Sequence, residues 1–126
     1  MLSILIPTFH CNVYSLAKEL AKQTASTGID FEIICIDDGS KSVLNKSNYR
    51  INKIKYCFFK ELQNNVGRSS IRNLLAKEAK YDNLLFIDAG NFPESENFVK
   101  KYIDKINNYT VISGGMFPLK KSPKKP

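Results

Sequence analysis

At positions 31–36, Phe31, Glu32, Ile33, Ile34, Cys35 and Ile36 form a run that is apolar but for Glu32 and leads straight into Asp37-Asp38-Gly39-Ser40. No other stretch restricts the fold as much. A short, almost unbroken apolar run rich in β-branched residues suits a strand covered on both faces, as in parallel sheets. Two adjacent carboxylates then fall at the strand's carboxyl end, where open α/β sheets bind their ligands. Neighbouring aspartates repel each other, so the pair gains the fold nothing unless a donor, a cation or water satisfies it. The competing explanation is a plain turn, because Asp-Asp-Gly-Ser is also good turn and cap composition.

The rest of the chain alternates around that strand. Residues 1–6 give a first buried strand stopped by Pro7, and the loop through Asn12 offers a helix cap. Val13, Leu16, Ala17, Leu20 and Ala21 follow helical spacing, closed by Thr27-Gly28. A polar stretch with a short helix near Val43 and Leu44 precedes a strand expected over 54–59. A helix is expected over 68–80, with Ile71, Leu74, Leu75 and Ala79 on one side, then a strand over 84–87 ending at Asp88. Pro93, Glu94 and Glu96 suit the opening of a helix whose stripe is Phe98, Val99, Tyr102, Ile103 and Ile106. A last strand is expected over 109–113, before Gly114-Gly115. This order predicts an α/β fold: an open, mostly parallel sheet of about five strands with helices on both faces.

Length and composition set the limits. At 126 residues the chain is one domain's worth, enough to bury roughly two thirds of its unfolded surface. No apolar run approaches the ~20 residues of a bilayer span, and the start lacks a secretory signal pattern, so a cytoplasmic protein is expected. Cys35 and Cys57 lie in apolar runs and no Cys-x-x-Cys occurs, which reads as reduced, packed thiols. His10 and Cys11 lack the further ligands a zinc site needs. Of the net charge of +7, Lys120, Lys121, Lys124 and Lys125 supply four, leaving a mildly basic body. We therefore divide the chain into an α/β domain at 1–115 and a Lys/Pro tail at 116–126, expected to be flexible or the stub of a longer chain. The tail offers contact with an anionic membrane surface. Without interleaved aromatics it makes no case for nucleic acid.

Chemistry gathers where the strands end. Pro7 and Thr8 follow the first strand, Asp37 and Asp38 the second, the loop from Asn65 to Arg72 the third, and Asp88 the fourth. In a parallel sheet these termini share one edge. Acidic groups from two strands suit a base edge, a ribose or a divalent metal. Arg68 and Arg72, four apart on a helix's first turns, suit a diphosphate. The structural alternatives are an ion pair of Arg72 with Asp88 or Glu78, and a solvent-exposed Arg68. Asp88 is the firmest functional candidate, because an acid ending a buried strand is costly without a partner.

These segments carry a resemblance. Ile4-Leu5-Ile6-Pro7-Thr8-Phe9, the whole of 31–40, Asn65-Val66-Gly67 with Ile71-Arg72-Asn73, and Leu84-Leu85-Phe86-Ile87-Asp88-Ala89 stand in the order and spacing of family 2 glycosyltransferases. The chain resembles the nucleotide-binding half of that family, a Rossmann-like part of the GT-A fold. The resemblance implies transfer of a sugar from a nucleotide diphosphate donor, commonly a UDP-sugar, with inversion, to a glycan or lipid-linked acceptor in polysaccharide biosynthesis. It implies that Pro7 and Thr8 lie beside the base, that Asp38 receives the base N–H with Asp37 supporting, and that Arg72 lies near the donor. Asp88 matches the first aspartate of the family's Asp-x-Asp motif, which serves ribose and the Mg²⁺ or Mn²⁺ ion.

Two departures follow from the same comparison. The motif reads Asp88-Ala89-Gly90, so the second aspartate, the usual direct metal ligand, is a glycine. A weakened metal site is expected, with Asp88 and the neutral oxygen of Asn91 as its candidates. The family's catalytic base lies beyond Pro126, in the acceptor half, so no catalytic residue is assigned. The chain reads as a fragment or a degenerate member. The alternative function is a nucleotide-sugar binding module without turnover. A phospho-acceptor receiver domain fits poorly, since its acid pair would follow the first strand.

Overall fold

The computed structural model describes residues 1–106 and 118–120. Their elements are β1 (Leu2–Thr8), α1 (Tyr14–Ala25), β2 (Phe31–Asp37), α2 (Asn45–Asn48) running into a 3₁₀ turn (Tyr49–Lys53), β3 (Cys57–Glu61), α3 (Arg68–Glu78), β4 (Asn83–Phe86), α4 (Phe98–Ile106) and β5 (Pro118–Lys120). They form one five-stranded sheet in the order β3-β2-β1-β4-β5. The first four strands are parallel, with Leu2 opposite Phe31, Thr8 opposite Asp37, Ile33 opposite Cys57 and Ser3 opposite Leu84. β5 runs antiparallel to β4, so the sheet extends into the stretch read from sequence as a Lys/Pro tail. The strand expected over 109–113 lies outside the described residues.

Alternating side chains give the sheet two covered faces. Leu2, Ile4, Ile6, Ile33 and Cys35 pack with Leu16, Ala17 and Leu20 of α1 and with Val99 and Tyr102 of α4. Leu5, Ile34, Ile36, Leu84 and Phe86 pack with Ile71, Leu75 and Ala79 beside α3. All seven residues of β2 are buried, as a central parallel strand requires. Burial also pushes the Cys57 thiol up to about 12. Cys35, buried and next to Cys57, is raised further. These thiols are packing groups, as the apolar runs around them predict.

Glu32, the polar exception in β2, is buried at the sheet's amino edge and joins three elements. Its carboxylate accepts the Ser3 hydroxyl at 2.7 Å and the backbone N–H of Lys80 just past α3. The Ser3 oxygen in turn accepts the N–H of Tyr81 at 3.2 Å. The open edge of β3 is covered by a side chain: Asn52 accepts the N–H of Phe59 at 2.8 Å and donates to its carbonyl at 3.1 Å. Such pairing removes an edge that would otherwise invite another strand.

Several boundaries differ from the sequence reading. β1 is not stopped by Pro7 but runs through it to Thr8, with Pro7 opposite Ile36 and Thr8 opposite Asp37. β3 begins at Cys57 rather than Ile54, because Ile54 ends the 3₁₀ turn and Tyr56 takes a left-handed φ of 68°. The short helix begins at Asn45, leaving Val43 and Leu44 exposed ahead of it. α4 begins at Phe98, so Pro93, Glu94 and Glu96 precede the helix instead of opening it. Its first turn is satisfied from elsewhere: the buried Gln23 of α1 accepts the N–H of Val99 at 3.0 Å and donates to the Ser95 carbonyl at 2.9 Å.

Candidate functional site

The strand order places a reversal at β1. The chain moves from β1 outward to β2 and β3, then crosses to β4 on β1's other side. Crevices of α/β sheets open at the carboxyl ends of the strands flanking such a reversal. A cleft of about 330 Å³ lies there, lined by Pro7, Thr8, Phe9, Asp38, Arg68, Ile71, Arg72 and Asp88. Of the residues singled out from sequence, Pro7, Thr8, Asp38, Arg72 and Asp88 therefore meet in one cavity. Asp37 is not among the lining residues.

The adjacent aspartates have separate roles. Asp37 is fully buried and folds back on its own turn, accepting the Ser40 N–H at 2.9 Å and the Ser40 hydroxyl at 2.6 Å. That is the turn-forming role that the Asp-Asp-Gly-Ser composition also allowed. Asp38 reaches across the sheet edge, where one carboxylate oxygen accepts the N–H of Val66 at 2.7 Å and the other that of Gly67 at 3.0 Å. Its backbone is tied as well: the Asp38 N–H donates to Thr8 at 2.8 Å, and its carbonyl accepts the Asn65 side chain at 3.1 Å. The end of β2, the end of β1 and the entry to α3 are thereby held as one unit.

Gly39 makes this junction sterically feasible. Its φ is +72°, and an added Cβ would sit 2.5 Å from the Asn64 carbonyl carbon and 2.6 Å from the Asn65 nitrogen. No side chain fits between those backbones.

On the opposite wall, α3 begins after Gly67, which has a φ of 94°. The first intrahelical bond runs from Ile71 N–H to the Gly67 carbonyl, so the amides of Arg68, Ser69 and Ser70 precede the hydrogen-bonded ladder. Arg68 and Arg72 lie one turn apart along the cleft. The Arg72 guanidinium stands 4.7 Å over the ring of Phe86, a buried β4 residue. The alternative for Arg72, an ion pair with Asp88 or Glu78, does not form. Among the described residues Glu78 pairs with Lys60 instead. Arg68 is exposed, as expected of it, yet it contributes to the cleft.

Asp88 is exposed, and its backbone carbonyl accepts the Asn91 N–H at 3.0 Å. The burial argument for its importance therefore does not apply. Its place on the cleft wall does. Sequence reasoning also passed over Phe9, an aromatic ring 51% exposed at the cleft and met edge-on by His10 at 5.4 Å. An apolar side chain left in the open directly after the end of β1 was the signal for it.

The loop carrying Phe9 is anchored from below. The fully buried Asn48 of α2 accepts the Val13 N–H at 2.8 Å and donates to the Cys11 carbonyl at 2.8 Å and to Asn45 at 3.0 Å. The N-cap position of α1 is Val13, without a side-chain cap bond, and not Asn12 as read from sequence; Asn12, one position earlier, accepts the Tyr14 N–H at 3.1 Å.

The donor set suits an anionic ligand better than a metal ion. Both Asp38 oxygens accept backbone amides, position 90 carries no side chain, and Asp88 is the remaining carboxylate of the cleft lining. Among the described residues no group of three or more His, Cys, Asp or Glu is placed to hold a metal. A protein-built Mg²⁺ or Mn²⁺ site at Asp88 and Asn91 therefore does not fit these side chains. No helix of the described residues is long and apolar enough to cross a membrane.

Comparison with known proteins agrees with this geometry. Residues 3–124 match the model of glycosyl transferase family 2. An uncharacterized glycosyltransferase of Haemophilus influenzae is 32% identical over 119 residues, covering 89% of this chain and 37% of the relative. Among solved structures, S. aureus TarS 1–349 in complex with UDP-GlcNAc aligns with a TM-score of 0.69 at 21% identity, over 87% of this chain and 32% of TarS. The mannosyltransferase PcManGT from Pyrobaculum calidifontis, in complex with GDP-Man and Mn²⁺, aligns with a TM-score of 0.72 at 12% identity, over 95% of this chain and 44% of that enzyme. At these identities the solved structures speak to the fold. The chain spans about a third of the length of the Haemophilus relative and of TarS 1–349, and under half of PcManGT.

Proposed function

The chain belongs to glycosyl transferase family 2, and from that premise we propose that its cleft holds the nucleotide diphosphate of a sugar donor, a UDP-sugar, for inverting transfer. The observation that carries this reading is the meeting of Thr8, Asp38, Arg72 and Asp88 in one cavity at the sheet's reversal point. Phe9 offers an open aromatic face to the base, and Thr8 borders the same space. A carboxylate has about four acceptor positions, so Asp38 keeps capacity for the N–H of a uracil after binding two amides. Asp37 supports it by fixing the turn. Asp88 is placed to accept a ribose hydroxyl, and the arginines face the diphosphate.

In such a transfer the acceptor hydroxyl attacks the anomeric carbon, the bond from that carbon to the diphosphate oxygen breaks, and a nucleoside diphosphate leaves. A base must take the hydroxyl proton. No carboxylate in the cleft lining is free of another role, so none is assigned to it here. The acceptor in this reading is a glycan or a lipid-linked sugar. Support for a sugar-nucleotide ligand comes from TarS and PcManGT, solved with UDP-GlcNAc and GDP-Man. The choice of uridine rests on Asp38.

Gly90 favours a second reading, a module that binds the nucleotide sugar without turning it over. Thermal stabilisation by UDP, GDP and ADP tests the shared core of both. A ligand at ~100 times its dissociation constant adds about 2.7 kcal/mol, and no response to any of the three would refute both. Release of free sugar or UDP from a UDP-sugar then separates enzyme from module.

A further inference from the structure

We propose that Arg68 and Arg72, at the head of α3, carry the charge of the donor diphosphate in this chain, so that nucleotide diphosphate binding needs no divalent cation. This rests on the nucleotide reading of the cleft and specifies how that cleft meets its ligand's charge.

The residues argue for it from both sides. A metal bridging protein and diphosphate needs hard anionic oxygen from the protein. The cleft lining contains two carboxylates, and Asp38 is engaged at 2.7 and 3.0 Å by the amides of Val66 and Gly67. Position 90, where a second motif carboxylate would stand, is glycine for no backbone reason. An added Cβ there meets nothing within 4 Å, and its φ lies outside the left-handed region. The chain thus lacks a carboxylate at a position whose backbone accepts one.

The cationic side is complete. Both arginines line the cavity, and neither forms an ion pair among the described residues. The Arg72 guanidinium carbon lies 4.7 Å from the centroid of the buried Phe86 ring, a cation–π contact that restrains the side chain and uses none of its N–H donors, which a bidentate anion can then take. The first turn of α3 contains no acidic residue. The amides of Arg68, Ser69 and Ser70 add partial positive charge at the same end. Two guanidinium groups and a helix terminus suit a diphosphate, as a single carboxylate suits a ribose.

The test is calorimetric titration of UDP into the full chain, in EDTA and then in Mn²⁺, with uridine as the uncharged control. The expected result is an affinity for UDP that agrees within about threefold between the two buffers and falls with added salt. Arg68→Gln/Arg72→Gln should weaken UDP about 100-fold in both buffers, the loss expected for charge-assisted hydrogen bonds. Arg72→Lys, which keeps the charge but not the fork, should lose less. A tenfold or greater loss of wild-type affinity in EDTA overturns the proposal and leaves the nucleotide site standing. So does a folded double variant that binds UDP like wild type. Absence of binding by UDP, GDP and ADP in both buffers refutes the nucleotide reading itself, and this inference with it.

Discussion

Asp38 accepts the backbone N–H of Gly67 at 3.0 Å across 29 positions of sequence, and its second oxygen takes the neighbouring N–H of Val66 at 2.7 Å. One side chain thus fixes the end of β2 to the start of the helix that carries both cleft arginines. Asp38→Asn replaces one acceptor oxygen by a donor that faces an N–H. The expected cost is about 1.5–3 kcal/mol, the range for a hydrogen bond to a charged group, read as a lower urea midpoint with an unchanged slope. UDP affinity should fall in the same variant. An unchanged midpoint would show that the two bonds contribute nothing.

Gly39 and Gly28 both hold a left-handed φ, but their surroundings differ. A Cβ at Gly28 meets open space, whereas at Gly39 it would lie 2.5 Å from backbone. Gly28→Ala should cost about 1 kcal/mol, the conformational term alone. Gly39→Ala adds a clash that only movement of the 64–65 loop relieves, and should cost more than about 3 kcal/mol. Equal losses in denaturant unfolding would mean that the close approach is absent.

Burial sets thiol reactivity. With Cys57 pushed up to about 12 and Cys35 raised further, neither forms thiolate near pH 8 in the folded chain. Titration with a chromogenic disulfide should therefore find Cys11, half-buried in its loop, as the fast-reacting thiol, and all three cysteines after unfolding. Fast native reaction of Cys35 or Cys57 would contradict the packing described for them.

The same shifts fix the sign of an alkaline transition. A thiol whose folded pKa is raised from 9.0 stabilises the fold fully below pH 9. That contribution fades as pH climbs from about 9 toward 12, because the unfolded chain loses the proton first. Burial raises Tyr102 as well, which adds to the effect. Melting temperature should decline steadily above pH 9, and Cys57→Ala should flatten that decline. A melting temperature independent of pH between 9 and 11 would refute the assignment.

Gly90→Asp restores the second carboxylate of the family motif at a position with room for it. UDP affinity in this variant should rise in Mn²⁺ relative to EDTA by about tenfold or more, since hard cations gain most from added anionic oxygen. A variant indifferent to Mn²⁺ would show that position 90 does not face the diphosphate.

Much of the architecture was legible because strand bodies and helix stripes are periodic. The 31–36 run, the Val13-to-Ala21 stripe and the turn at Gly28 all lie where local pattern puts them. What local pattern could not show was satisfaction supplied from a distance. Glu94 and Glu96 have helix-start chemistry, but α4 starts where Gln23, 76 positions away, caps it. Asn48 and Asn52 look like ordinary polar-loop residues and prove to be backbone clamps, because their partners lie in other elements. Tyr56 reads as a strand aromatic, and only its positive φ removes it from β3. In the cleft, the convergence of strand ends followed from topology alone. The division of labour between Asp37 and Asp38 did not, since adjacent aspartates look alike until each finds its donors.

Mapping backbone amide shifts of the labelled chain during titration with UDP tests the central claim most directly. The account predicts that the largest changes fall on Thr8, Phe9, Asp38, the stretch from Gly67 to Arg72, and Asp88. Changes confined to the opposite edge of the sheet, around Asp30, Tyr56 and Lys80, with the cleft silent, would contradict it.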